Sequence, residues 1–217
     1  MSLHNDNALV VALDTSTDML ACAASWIDGQ TGETKLVSGD HMCRRHANVE
    51  LVNTVDGVLA QAGLDRSDVG CYVVGRGPGS FTGVRIGIST AKGLARGANV
   101  PLLGVSTLDA CAAWKAGVRG KLGILADAMR GEVYPALYML VDKGPERQFE
   151  REHVVKAAVA LDEWRQAADW GQVQLTGDGL VRYGKLLGED EAARCVERDQ
   201  WWPSGEGLLL AHAAGDG

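Results

Sequence analysis

Along its first forty positions the chain alternates short apolar runs with polar turns, and after position 48 the apolar residues fall into a helical rhythm. Residues 9–13, 20–26 and 35–38 read as strands, each a brief apolar-bearing run bounded by turn formers. Asp14-Thr15-Ser16-Thr17-Asp18 separates the first pair and Asp28-Gly29-Gln30-Thr31-Gly32 the second, which predicts a meander with a hydroxyl-rich first turn. From 48 to 62, Val49, Val52, Val55, Leu59 and Ala62 recur every three or four positions, so an amphipathic helix capped by Gly63 is expected there. A buried strand at 71–74 follows, then a glycine-rich loop at 75–83, a helix running to about Arg96 and closed by Gly97, and a strand at 102–105.

After Ser106 the alternation begins again. A helix over 107–116 leads to strands at 122–126 and 133–141, separated by Asp127-Ala128-Met129-Arg130-Gly131-Glu132. A helix around 161–168, a strand at 173–176, a helix from Leu180 and a closing helix over 203–213 complete the pattern. Strands interleaved with helices indicate an α/β fold. No Pro-, Ser- or Gly-rich linker divides the chain, so two lobes sharing a hinge fit better than two tethered units.

Composition narrows the classes of function. No run of about 18 uncharged apolar residues exists, and residues 1–7 carry neither the basic flank nor the apolar stretch of a signal peptide. A cytoplasmic chain without membrane contact is therefore expected. The five cysteines are scattered without a C-x-x-C pair, which points to reduced thiols rather than a disulfide framework or a structural zinc site. A formal charge of −7 argues against binding nucleic acid alone, so any RNA must be met through a partner that supplies the positive surface.

The first turn is one candidate site. Asp14, Thr15 and Ser16 suit a turn whose amides and hydroxyls face a phosphate, and they equally suit ordinary turn capping. Asp127, Gly177 and Asp178 are the matching positions in the second lobe for a weakly held nucleotide. The loop Gly77-Pro78-Gly79-Ser80-Phe81-Thr82-Gly83 is neither a Walker A motif, lacking its G-K-[ST] ending, nor a dinucleotide fingerprint, since its spacing is G-x-G-x-x-x-G. On the following helix Gly83, Gly87, Ala91 and Ala95 form an i, i+4 stripe, although each interior glycine costs about 1 kcal/mol relative to alanine. Such a stripe permits close approach of another element, either a partner or the chain's own helix at 48–62. No G-x-S-x-G elbow supports a hydrolase. His41 and His46 are five apart, off the i, i+4 spacing of a helical metal site, and solvated histidines are expected.

The string GRGPGSFTGVRIGISTAKGLARGANVPLLGVSTLDACA resembles the hallmark segment of the TsaB (YeaZ) family, which serves in tRNA threonylcarbamoyladenosine biosynthesis. VVALDTSTDMLACAASW, LADAMRGEVYPALY, VQLTGDGLVRY and WWPSGEGLLLAHA are similar to further family segments in the same order, so the likeness runs from about residue 8 to 213. Residues 45–53 depart from it, keeping the histidine of the family's H-S-x-x-L-L-P but not the proline. The resemblance implies an actin-like, sugar-kinase-like (ribonuclease H-like) fold of two lobes, 1–105 plus 203–217 and 106–202. It also implies a non-catalytic role beside TsaD, the transferase acting at the adenosine next to the anticodon, with the ATPase TsaE joining them; a homodimer is an alternative pairing. No cofactor is required in this reading. Partner contacts are expected on the two first-lobe helices, at Val49, Val52, Asn53, Asp56, Gly83, Gly87, Ala91 and Ala95. Where TsaD carries the H-M-x-x-H histidines of its metal site, this chain carries Thr107 and Cys111. An ATP-dependent kinase or ATPase of the same fold, using Asp14, Asp127 and the Gly177-Asp178-Gly179 turn, is the competing expectation.

Overall fold

A computed structural model of the protein describes residues 9–44, 46–114, 120–142, 144–148, 153–167 and 169–215. The first half runs β1 (Leu9–Asp14), β2 (Met19–Ile27), β3 (Thr34–Ser38), β4 (His41–Met42), α1 (Ala47–Gln61), β5 (Val69–Gly75), α2 (Phe81–Ala98) and β6 (Leu102–Val105). Its sheet has the order β3-β2-β1-β5-β6, with β4 beside β2. The meander pairs are antiparallel, whereas β1, β5 and β6 run parallel and end together, Leu13 opposite Val74 and Gly75 opposite Val105.

The unbroken apolar run of β1 follows from cover on both of its faces. On one side Val11, Leu13, Tyr72 and Val74 pack with Leu51, Val55, Val58 and Leu59 of α1 and Ala91 and Ala95 of α2. Full burial of each large side chain there contributes about 1.5–3 kcal/mol. On the other side the small residues Ala12 and Ala21, with Val73, lie under Ala110 and Leu208. Those two belong to α3 (Thr107–Ala113) and the closing helix α7 (Gly205–Gly215). Asp40 pins α7 to this sheet by accepting from the amides of Gly205 (3.0 Å) and Cys22 (2.8 Å).

The second sheet is built from β7 (Gly120–Met129), β8 (Glu132–Val141), β9 (Gly144–Arg147), β10 (Val155–Lys156) and β11 (Gln174–Thr176), in the order β10-β8-β7-β11 with β9 beside β8. Leu108, Cys111 and Ala112 of α3 cover one face, so α3 is packed on both sheets. The other face is covered by Ala157, Ala160, Leu161 and Trp164 of α4 (Ala157–Arg165) and by Leu180 of α5 (Leu180–Tyr183). The short α6 (Glu189–Ala192) follows. No helix of the described residues is long and apolar enough to cross a membrane.

Several sequence expectations shift in detail. The inward stripe of α1 is Leu51, Val55, Val58 and Leu59, which leaves Val49 64% exposed and Val52 half-buried. Helix α2 continues through Gly97 and ends where Asn99 turns left-handed at φ 56°. Strands β7 and β8 extend into the expected connection and close on a two-residue turn, Arg130 (φ 54°) and Gly131 (φ 84°), both signs suiting a hairpin. Helix α3 stops at Ala113, and its expected end at 115–116 lies outside the described residues, as does Ala168, the expected end of the helix around 161–168. That helix itself runs earlier, over Ala157–Arg165.

Candidate functional site

Because β1, β5 and β6 end together, the turn after β1, the loop after β5 and the start of α3 converge at their carboxyl ends, the place where open α/β sheets hold ligands. Asp14, Thr15 and Ser16 all sit there, and all are buried. The Asp14 carboxylate accepts from the Ser16 amide (2.6 Å) and from the Thr107 hydroxyl (2.5 Å). Burial pushes the Asp14 carboxyl above the ordinary carboxylate range, against the pull of these bonds. The Thr107 hydroxyl is saturated: having donated to Asp14, it accepts from the Gly77 amide (3.1 Å) and the Ser16 hydroxyl (3.2 Å). The hydroxyls and amides of Thr15 and Ser16 are thus spent inside the chain rather than aimed at a ligand.

The loop and the small-residue stripe complete the packing. Ser80 donates its amide to the Ser16 carbonyl (2.7 Å), and Thr15 donates its hydroxyl to the Gly83 carbonyl (2.7 Å). A methyl group at Gly83 would overlap the Thr15 carbonyl, and one at Gly87 would lie 2.9 Å from the Thr15 hydroxyl oxygen. Gly83, Gly87, Ala91 and Ala95 are all buried. Their burial corrects the expected place on a partner surface: the chain's own first turn approaches Gly83 and Gly87, while Ala91 and Ala95 pack with the first sheet and with α1, the internal neighbour that the spacing allowed. Other residues of these two helices face outward. Val49, Asn53 and Asp56 of α1 are exposed, with Asp56 held by Arg66 (2.6 Å). On α2 the exposed residues are Phe81 (76%), Thr82, Arg85, Ser89, Lys92, Gly93, Arg96 and Gly97, and the Arg85 guanidinium lies 5.3 Å from the Phe81 ring centre.

The second lobe presents the turn Gly177-Asp178-Gly179 beside Asp127. The Asp178 carboxylate accepts the Asp127 amide (2.9 Å), and the Gly179 amide donates to the Leu125 carbonyl (2.9 Å). Side chains at Gly177 (φ 113°) or Gly179 would strike that carbonyl, so both flanking positions need glycine. Burial, and then the neighbouring charges of Asp127 and Asp18, push Asp178 up to about 7. Asp18, whose charge acts on Asp178, belongs to the first-lobe turn and is itself paired with Arg44 (3.5 Å). Asp127 is paired with Arg182 (2.6 Å) and bonded by the Tyr183 hydroxyl (3.1 Å). Glu132, at the start of β8, pairs with Lys156 (3.2 Å).

Two polar groups escaped the sequence reading. Tyr138 and Arg147 converge on Asp109 (both 2.7 Å) and tie α3 to β8 and β9; no spacing rule links three such distant positions. His41, expected as a solvated histidine, bonds the Gly39 carbonyl through Nδ1 (2.9 Å) and faces Glu50 through Nε2 (3.0 Å). The Cys43 thiol reaches the same carboxylate. His46 and His153 are exposed, and His4 lies outside the described residues.

Two sheets with one helix packed on both define a two-lobed α/β protein. Residues 41–169 match the family model of TsaD, tRNA N6-adenosine threonylcarbamoyltransferase. The tRNA threonylcarbamoyladenosine biosynthesis protein TsaB of Escherichia coli is 36% identical over 203 residues, 92% of this chain and 84% of that protein. Its counterpart in Haemophilus influenzae is 36% identical over 130 residues, 59% of this chain and 52% of that protein. The solved structure of YeaZ from Pseudomonas aeruginosa superposes with a TM-score of 0.73 at 27% identity, covering 95% of this chain and 91% of that one. The chain belongs to the TsaB (YeaZ) family.

Proposed function

We propose that this chain takes part in forming threonylcarbamoyladenosine on tRNA as a non-catalytic subunit, docking on TsaD and holding it in its working arrangement. The observation that carries the reading is the replacement of TsaD's two metal-binding histidines by Thr107 and Cys111. The Thr107 hydroxyl has no lone pair left for a cation, and Cys111 is buried between α3 and the second sheet. That pair does not fit the metal of the transferase.

The docking surface in this reading is the outward side of α1 and α2, where Val49 and Phe81 stand exposed among Asn53, Asp56, Arg85 and Lys92. A large aromatic ring left in water beside arginine is the composition of an interface anchor. A second copy of the chain would use the same side, making homodimer and TsaD pairing mutually exclusive, with TsaE joining the TsaD complex. The charge of −7 suits a subunit that meets tRNA only within that complex. A kinase or ATPase reading is less well supported, because the amides that would cradle phosphate already serve Asp14 and Asp178.

Reconstitution tests the proposal. With TsaD and TsaE of the same organism, threonylcarbamoyl-AMP and unmodified tRNA, adding this chain should raise modification by at least tenfold, and the chain without TsaD should give none. Equal modification with and without the chain would refute the role.

A further inference from the structure

We propose that His41, Cys43 and Glu50 form a binding site for a divalent transition-metal ion of the zinc type. The three come from β4, the residue after it and the first turns of α1, and one ligand atom from each lies within 4.8 Å of the others. Imidazole, thiol and carboxylate on one small volume form a donor set suited to zinc or cobalt rather than to magnesium or calcium, which take oxygen ligands.

The hydrogen bonding around the cluster supports this. His41 donates Nδ1–H to the Gly39 carbonyl (2.9 Å), which leaves Nε2 as the ring nitrogen turned toward Glu50. Orientation of one ring nitrogen by a backbone carbonyl is the usual support of a metal-bound histidine. With Nδ1–H so committed, Nε2 and the Glu50 oxygen are two acceptors 3.0 Å apart, and a cation must lie between them. A proton can be that cation, and the Gly39 bond and Glu50 do hold His41 above its ordinary range. A tetrahedral ion with ligands about 2.0–2.1 Å away would separate nitrogen and oxygen by roughly 3.3 Å, so only a few tenths of an ångström of adjustment are needed. The Cys43 thiol, already against the same carboxylate, supplies the third ligand. His41 and Glu50 side chains are 39% and 43% exposed, which gives the ion a path in and leaves its fourth position to water.

Binding involves no redox change. The thiol releases its proton to solvent, any proton shared by His41 and Glu50 leaves as well, and the ion takes their place. It would tie β4 to the end of α1 that carries Val49.

Cobalt(II) as a spectroscopic probe and zinc(II) by calorimetry, added to reduced full-length chain, test the site. The expected result is one zinc per chain, with a thiolate-to-cobalt charge-transfer band and tetrahedral cobalt absorption. Cys43→Ser and His41→Gln should each weaken zinc binding by at least tenfold, and Cys43→Ser should abolish the band. Should Cys43→Ser fail to fold, the half-exposed His41→Gln decides the matter alone. Absence of the charge-transfer band in the wild-type chain, or zinc affinity in His41→Gln within twofold of wild type, would overturn the proposal and leave a protonated histidine–glutamate pair.

Discussion

Asp178 carries the second-lobe turn at an electrostatic cost. In the unfolded chain its carboxyl ionises near 3.8, whereas burial and the facing carboxylates hold it near 7 in the folded chain. A raised folded value means that the stabilising contribution is complete below the unfolded value and is lost as pH rises through about 7. Asp178→Asn keeps the oxygen that accepts the Asp127 amide and removes the charge. The variant should come close to wild type in urea unfolding at pH 4 and exceed it by about 4 kcal/mol at pH 8. A gap independent of pH would contradict the assignment. Little of this was open to sequence reasoning: the Asp-Gly turn is visible as a string, but the approach of Asp18 from the other lobe depends on the fold. The same limit hid His41, Cys43 and Glu50, which meet only because β4 folds back beside the start of α1, outside any helical i, i+4 rule.

At the scale of elements, α1, α2 and the parallel strands were readable because long periodic segments report their own type. Periodicity does not report which neighbour covers a face. The stripe Gly83, Gly87, Ala91 and Ala95 was rightly legible as a close-approach surface; its glycines meet the Thr15–Ser16 turn, and its alanines meet the first sheet and α1. Gly87→Arg would therefore force a charged side chain into the chain's own packing. It should lower stability by about 3 kcal/mol or more and reduce the melting temperature, a loss of folding rather than of pairing alone. An unchanged melting curve would show that the stripe is not buried as described. Strands β4, β9 and β10, two to four residues long, were not anticipated, since so few positions display no alternation. Helix α1 shows the converse error: Val49 matched the apolar spacing and yet lies outside, one position off the stripe that packs.

For the whole molecule, two sheets share α3, and α7 returns from the far end of the chain to cover the first sheet. The class of fold was legible in the strand and helix order and in the family resemblance; the inward commitment of the first turn was not, because it rests on Thr107, ninety-three positions from Asp14. In the proposed role, chemistry is left to a related partner, and the outward side of α1 and α2 exists to meet it. Sedimentation velocity of TsaD mixed with wild-type chain or with the double variant Val49→Asp, Phe81→Glu tests this most directly. Both substituted residues are exposed, so the variant should melt as wild type does. The expected result is a heterodimer with the wild-type chain and separate sedimentation of the folded variant; a variant that still pairs with TsaD, or a wild-type chain that never does, would contradict the role.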